Sequence, residues 1–502
     1  MPNIELDEQD LRVEQATQSA ATVEKGDKPR VPRGVGTLAF TEFWERFSFY
    51  GLNGILTFYL LYTAADGGLG IDAASASGIV GAYGGSVYLA QLLGSWLGER
   101  VISPKWMVFI GGIIIAAGHV ALAFVPGMAG LAFGLGLIIL GTGALKTNIT
   151  NIVGLAVEGQ DEGRRDVGFA YFYLAINLGA VTGPLASGFA QNEWGFHVGF
   201  GLAAIGMLLS LGIYMASMAK LPVRAAIVER PIEKSKLVQL SVIALVVLLA
   251  IIVILSSGVL PASSLSAITT VLILASAAWY FIMMLGNKEV THDEKRRVGA
   301  YLPLFLAGGL FFGLLFQQST TIAILISERV DLVIAGWSVP VAWITMLAQF
   351  AAVLITPFVT YFWGKSGNNG PGAPSKFAVG MFHMGCAYII MLVILKAYEG
   401  ALIPLLLIVL VMMAAGASEV FVGPVSLSLA TRIGPERFRS QMVGLNFLTL
   451  SLGSAFSGLF GQLYTVMTDY SYFICIIAAG VIVGIVLWIF RKKLQENLYA
   501  GL

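Results

Sequence analysis

The stretch Glu42-Phe43-Trp44-Glu45-Arg46-Phe47 decides the reading of this chain, because it sets three charges inside an apolar run long enough to cross a bilayer. A charge at the centre of a membrane helix costs roughly 2.5 to 3.5 kcal/mol on insertion scales, so such a set marks function rather than architecture. With Glu42 at zero on a helical wheel, Arg46 falls at about 40°, Asn53 at about 20°, Phe49 at about 340°, Glu45 at about 300° and Tyr50 at about 80°. The polar groups therefore share one stripe, and Trp44, Leu52 and Ile55 are left as apolar surface for neighbours or lipid. Val35 to Phe40 continues the apolar run on the N-terminal side, which argues against charges snorkelling from an interface.

The rest of the chain agrees. Of 502 residues, 57% are hydrophobic and 12% charged, against about 25% charged in a soluble domain. The fold class expected is an all-α polytopic membrane protein, with the lipid bilayer as its main partner. A net charge of +1 argues against nucleic acid. Cys386 and Cys475 lie far apart in apolar segments and read as small packing residues. Residues 1–35 are polar, carry both signs of charge and lack an apolar h-region, which predicts a disordered cytoplasmic tail rather than a signal peptide.

Fourteen runs have the roughly twenty residues that a spanning helix needs. They fall near 36–63, 77–97, 105–126, 128–153, 166–190, 197–217, 235–256, 266–285, 299–326, 338–363, 375–395, 402–431, 438–463 and 470–490. Alternate loops and the two tails hold 26 of the 30 Lys and Arg residues, whereas the opposite loops hold only Arg329 and Lys396. The positive-inside rule then places both termini in the cytoplasm. The domain plan is a bundle of six helices at 36–217, a linker at 218–298 with two extra transmembrane helices, a second bundle of six at 299–490, and a cytoplasmic tail at 491–502. Two six-helix bundles about a midplane site are the plan of a major facilitator fold. The charge-free inserted hairpin reads as a lipid-facing accessory.

Beyond the first helix, deep charges are few. Lys146 lies in Gly141-Thr-Gly-Ala-Leu-Lys146-Thr-Asn148, and Glu419 in Ala417-Ser418-Glu419-Val420, shortly before Pro424. A buried lysine needs a carboxylate partner or a depressed pKa. Glu42, Glu45 and Glu419 against Arg46 and Lys146 leave a net of −1, which one proton neutralises. That arithmetic motivates proton coupling, with the proton as coupling ion and no other cofactor. Asn177, Tyr88, Gln317, Gln318, Ser319, Thr320 and Thr321 are further polar candidates, each open to the plainer reading of a bond that joins helices. His119 and His383 lie in spans without a second ligand at helical spacing, so hydrogen-bonded packing is expected and a metal site is not. No Ser-His-Asp, zinc or phosphate-loop constellation emerges, and the chain does not read as an enzyme.

Four separated motifs carry a family likeness. Glu42-x-x-Glu45-Arg46-Phe47-Ser48-Phe49-Tyr50-Gly51 resembles the ExxERFxYY element of the proton-dependent oligopeptide transporters, bacterial type, of the major facilitator superfamily. Phe172-Tyr173-Leu-Ala-Ile176-Asn177-Leu-Gly179 is similar to that family's fifth-helix signature. Gly143-Ala-Leu-Lys146-Thr-Asn148 and Glu419-Val-Phe421-Val-Gly-Pro424 are similar to its lysine and glutamate helices. The resemblance implies that Glu42, Glu45 and Arg46 carry proton coupling, that Lys146 pairs with them and meets a peptide carboxylate, and that Glu419 also belongs to the coupling set while holding the peptide amino group. The substrate-lining set it implies is Arg46, Tyr50, Asn53, Tyr88, Lys146, Asn177, Gln317, Ser418, Glu419 and Asn446.

Departures from the pattern carry their own expectations. The family usually has a tyrosine where Gly51 stands, an arginine at Asn53, a glutamate at Gln317, a tryptophan at Asn446 and an asparagine at Ala348. Asn53 and Gln317 are expected to replace an ion pair by an amide hydrogen bond, since losing one partner alone would strand a charge. The expected activity is proton-coupled import of di- and tripeptides across a bacterial cytoplasmic membrane by alternating access. The substrate is a small peptide, and no obligate protein partner is evident. Another small zwitterion or organic anion is the alternative. A peptide receptor without transport is a further one, although the tails are too short for a signalling domain.

Overall fold

The computed structural model describes Pro32, residues 34–158, 160, 162–233, 235–239, 242, 260–366 and 370–502. Long apolar runs become long helices, with Pro184 inside the fifth: α1 (Val35–Leu61), α2 (Ala73–Arg100), α3 (Pro104–Phe124), α4 (Gly127–Val157), α5 (Glu162–Trp194) and α6 (Phe196–Ser217). Helix α7 (Leu265–Gly286) follows the segment in which the expected 235–256 span falls, most of which lies outside the described residues. The chain continues through α8 (His292–Leu315), α9 (Thr321–Arg329), α10 (Val341–Thr345), α11 (Leu347–Ser366), α12 (Ala373–Ala397), α13 (Leu405–Ala417), α14 (Gly423–Ile433), α15 (Arg439–Thr465) and α16 (Asp469–Leu498).

Among the described residues, eleven helical segments are long and apolar enough to cross a membrane. Helices α1 and α2 have the length too, at 27 and 28 residues. Caps set several starts: the Asp72 side chain accepts from Ser75 N–H at 2.9 Å, and Thr291 and Glu294 form a capping box. Several helices outrun the expected spans by a turn or more, as at Glu162–Trp194 and Asp469–Leu498, because a helix continues past the hydrocarbon until its chain turns.

Three expected spans prove to be broken: 338–363 divides at Met346 into α10 and α11, and the other two break at 3₁₀ turns. Between α8 and α9, Phe316–Ser319 is a short 3₁₀ turn; between α13 and α14, Ser418–Phe421 is another. The break before α14 has a clear cause. Pro424 has no N–H, and its ring clashes with the carbonyl four residues back, so α13 cannot run on through it and α14 restarts with proline in its first turn. Breaks of this kind free backbone and side-chain groups at mid-depth, where only a polar cavity can accept them.

Within the first set, α1 packs on α5 and α6, α3 on α4 and α6, and α2 on α4; within the second, α8 packs on α15 and α16, and α12 on α16 and α13. A core around Ile149, Ile152, Met207 and Tyr214 ties α4 to α6. Trp44 of α1 lies flat on Gly206 of α6, where a Cβ would stand 2.0 Å from the ring. The leading helices of the two sets meet at their far ends, with Thr57 Oγ1 donating to the Ser319 carbonyl at 2.5 Å. At the same end, Trp343 Nε1 donates to the Leu185 carbonyl at 2.9 Å, and Ala342 fills the space beside Gly54 and Gly188. Gly34 touches Lys220, and Arg297 reaches the Ala500 carbonyl, so Gly34 and Ala500 lie at the opposite end of the described structure.

The inserted helix exposes Val271, Leu272, Trp279 and Ile282, as a lipid-facing accessory would, and it also joins the two sets. Helix α7 packs against both α2 and α15, which belong to different sets. Ser266 Oγ donates to the Gly78 carbonyl of α2 at 2.9 Å, and Gln462 of α15 donates to the Ser263 carbonyl at 2.5 Å. Glycine makes this approach feasible, since a Cβ on Gly81 would stand 2.6 Å from Gly458 Cα. Cys386 and Cys475, expected to be packing residues, are both exposed on the outer surface of their helices.

Candidate functional site

The α1 stripe folds as its periodicity requires. Glu42, Glu45 and Arg46 are buried, at 0%, 0% and 5% exposure, so none of them snorkels. Arg46 clamps Glu45 through two parallel bonds, Nε to Oε2 at 2.5 Å and Nη2 to Oε1 at 2.6 Å. Its Nε also lies 3.5 Å from Glu42 Oε1. That same Glu42 oxygen takes the Lys146 ammonium, which comes from α4. Gly179 of α5 lets α1 approach, because a Cβ there would meet the Phe43 carbonyl at 2.5 Å and Arg46 Cβ at 2.7 Å.

Two carboxylates thus face two cations within the first helix set, and the charges cancel. The two acids are not equivalent. Both oxygens of Glu45 are engaged by Arg46, whereas Glu42 Oε2 is buried with no hydrogen-bond partner. A bidentate guanidinium pair satisfies both oxygens of its carboxylate, while a buried oxygen left without a partner is costly.

Next to this cluster lies an open-mouthed chamber with a cavity volume of about 110 Å³. Tyr50 and Asn53 of α1, Tyr88 of α2, Gln318 and Glu419 line it. The last two sit on the two 3₁₀ turns described above. The Tyr50 ring joins chamber and cluster, with the Arg46 guanidinium carbon 5.9 Å from its centroid and 4.9 Å from that of Phe49. Among the described lining residues Glu419 alone is charged.

Several sequence-derived positions need correction. Arg46 and Lys146 do not line the chamber, because carboxylates of the cluster occupy both. Asn177 spends its amide on the Tyr173 carbonyl at 2.8 Å, and Ser418 its hydroxyl on the Ala415 carbonyl at 2.6 Å; neither reaches the lining. Asn446 is buried one turn from the lining residue Leu450. The amide pair expected between Asn53 and Gln317 does not form. Gln317 turns the other way and accepts from Tyr472 OH at 2.6 Å, while Asn53 donates to the Phe49 carbonyl at 2.9 Å. Gly51 has no room for the tyrosine that the resemblance implies, since a Cβ would stand 2.5 Å from Ser187 Oγ. His119, expected to be hydrogen-bonded, is buried with neither ring nitrogen partnered. Among the described residues, no group of three or more His, Cys, Asp or Glu is placed to hold a metal.

Gln318, one of the polar candidates read from the sequence, lines the chamber, and a second lining amide, Gln349, was missed. Gln349 had a usable signal, being the lone amide in the apolar run 341–363. It stands beside Ala348, the position the resemblance singled out.

Known proteins share this architecture. A profile of the POT family matches residues 105–477. A di-/tripeptide transporter of Lactococcus lactis subsp. cremoris is 36% identical over 479 residues, spanning 93% of this chain and 96% of that one. An uncharacterized transporter of Bacillus subtilis (strain 168) is 34% identical over 466 residues, spanning 93% and 94%. Among solved structures, a peptide transporter POT in complex with sulfate superposes with a TM-score of 0.89 at 34% identity, covering 99% of this chain and 100% of that one. A POT family transporter in complex with 5-aminolevulinic acid gives 0.87 at 30% identity, covering 92% and 97%.

Proposed function

The chain belongs to the POT family of multi-pass membrane transporters, and on that premise we propose that it imports di- and tripeptides together with protons. The observation that carries the reading is the chamber in which Glu419 faces Tyr50, Asn53 and Tyr88 as the one charge among the described lining residues. Such a site selects a solute with a protonated amino group, since desolvating that ammonium is unfavourable unless a carboxylate replaces water. Peptides transported by the Lactococcus relative meet this requirement. An organic anion does not, and the lone carboxylate weighs against that alternative.

Coupling resides in the neighbouring cluster. Glu42 is the proton acceptor, because its Oε2 is buried and unpartnered. Protonation there removes the charge that holds Lys146, leaves the cluster with one excess cation and lowers the cost of moving α4 against α1. Glu45 keeps both of its oxygens on Arg46, within α1. The two sets touch at the end remote from Gly34 and Ala500, through Thr57–Ser319 and Trp343–Leu185. With the termini in the cytoplasm, as the basic loops favour, this is an inward-facing form in a bacterial inner membrane. Return to the outward form breaks those contacts and closes the opposite end.

The test is uptake by the purified chain in proteoliposomes. An inside-alkaline gradient is expected to concentrate labelled dialanine, and dissipating it with a protonophore to abolish the accumulation. Accumulation that ignores the gradient refutes proton coupling; no binding or uptake of any di- or tripeptide refutes the peptide reading.

A further inference from the structure

Helices α11 and α12 follow one another in the chain, yet they are not packed along each other; among the described residues both lean on α13 instead. The gap between them is floored by the 3₁₀ turn Ser418–Phe421, which both helices touch. Gly380 of α12 admits that turn, since a Cβ there would stand 3.2 Å from Phe421 Cβ. The Phe421 ring lies 6.0 Å from the Trp363 ring of α11 on one side and 6.0 Å from the His383 ring of α12 on the other. His383 is tied to the backbone of Ala414 in α13. At the mouth of the gap the Lys376 ammonium rests on the face of Trp363, 3.9 Å from the ring centroid. Trp363, Lys376, His383 and Phe421 are each only partly buried, so the gap is an aromatic groove with a cation at its rim.

Lys376 has no counter-charge in its surroundings. The indole attracts the ammonium through its ring quadrupole and supplies no carboxylate. No Asp or Glu occurs between residues 332 and 398, nor between 470 and 495 on α16, which packs along α12. Glu419 is the one acid from 405 to 433, and it lines the chamber. A second lysine, Lys365, stands exposed two residues past Trp363. Gly372, at the start of α12, touches Gln495, so the groove opens at the end of the molecule where the basic loops lie. Exposed Phe358 and Tyr361 continue the apolar surface on α11. Two ammonium groups above an aromatic groove at a membrane surface complement a phosphodiester that carries an acyl chain.

We infer that the α11–α12 groove holds one anionic phospholipid, its phosphate on Lys376 and Lys365 and an acyl chain against Phe421. Phe421 lies two residues beyond Glu419 on the same turn, so the lipid buttresses from behind the turn that presents this carboxylate to the chamber. The site does not depend on what the chamber carries. For the test, the purified full chain is stripped of lipid in detergent and titrated with phosphatidylglycerol, phosphatidylethanolamine or inorganic phosphate. Bound lipid is counted by native mass spectrometry while the unfolding midpoint is followed. One phosphatidylglycerol is expected to bind about 25-fold more tightly than phosphatidylethanolamine, about fivefold for each lysine, and to raise the midpoint. Lys376→Gln with Lys365→Gln is expected to abolish that preference, and Lys376→Arg with Lys365→Arg to keep it. Lys492→Gln with Lys493→Gln, on α16 at the same end of the molecule, is expected to leave it unchanged. Equal binding of the two lipids, or a preference that survives loss of Lys365 and Lys376, overturns the assignment. So does an equal loss in the Lys492 and Lys493 variant, because diffuse charge rather than the groove then holds the lipid. Inorganic phosphate that displaces the lipid and raises the midpoint as far overturns the lipid as occupant.

Discussion

The two helix sets handle charge in opposite ways. In the first, Glu42, Glu45 and Arg46, buried, and Lys146, partly buried, sit on unbroken helices and cancel one another locally. In the second, Glu419 stands on a broken helix and looks into open space, with no ion-pair partner among the described residues. A closed ion cluster is a good store for a proton, because a change of one charge alters which helices hold together. A lone carboxylate at a helix break is a good contact for a ligand, because nothing inside the protein competes for it. Tyr50 is the physical boundary between the two, touching the Arg46 guanidinium on one side and the chamber on the other.

The sharpest way to break this division is Lys146→Ala. It leaves Glu42 buried beside a single shared cation, so a stability loss of about 3 to 5 kcal/mol is expected, together with loss of concentrative uptake. The double variant Glu42→Gln with Lys146→Ala removes both charges and is expected to recover most of the thermal stability but none of the coupling. Recovery of coupled uptake by the double variant would place the proton elsewhere.

Glu419→Gln is expected to do the reverse. The fold is expected to be unaffected, since Glu419 lines the open chamber and has no ion-pair partner among the described residues. Free-amino peptides weaken by about 30-fold or more while N-acetylated ones change little. Equal losses for both series would remove the amino-group contact from Glu419.

A smaller effect sharpens the mechanical side of the comparison. Gly81→Val drives a side chain into Gly458 across the contact between the two sets and is expected to cost about 1 to 3 kcal/mol, read as a lower unfolding midpoint in detergent. The smallest effect belongs to Arg437→Ala. Its partner Glu289 and the arginine itself are well exposed, so a change of about 1 kcal/mol or less is expected.

How far the sequence carried these features follows from the physics of each. The α1 stripe was legible because an unbroken helix keeps a constant angle per residue, so Glu42, Glu45, Arg46 and Asn53 could be placed on one face by arithmetic. The same arithmetic fails at Phe316–Ser319. A 3₁₀ turn rotates by about 120° per residue rather than about 100°, so which of the adjacent amides Gln317 and Gln318 faces the chamber cannot be read from spacing. The family resemblance pointed to Gln317, and the fold turns it onto Tyr472. Asn177 and Ser418 were chosen for polarity, but each satisfies itself on its own helix, a choice that depends on rotamer rather than on sequence. Helix α7 was only half legible for a related reason, since it both exposes an apolar face and packs between the sets. Absence of charge is what a lipid-facing helix and a tightly packed one share, and only the small residues Ser263, Ser266, Gly78 and Gly81 tell them apart.

The central claim is that the proton is taken in the cluster and the ligand in the chamber, and Glu42→Gln tests it most directly. Dialanine uptake is measured in proteoliposomes twice, once driven by a proton gradient and once as counterflow against a preloaded peptide pool with no gradient. The account predicts that Glu42→Gln loses gradient-driven accumulation while counterflow persists at a rate near that of the unaltered protein. Gradient-driven accumulation that survives in Glu42→Gln, or counterflow that disappears in a variant that still binds dialanine, would contradict it.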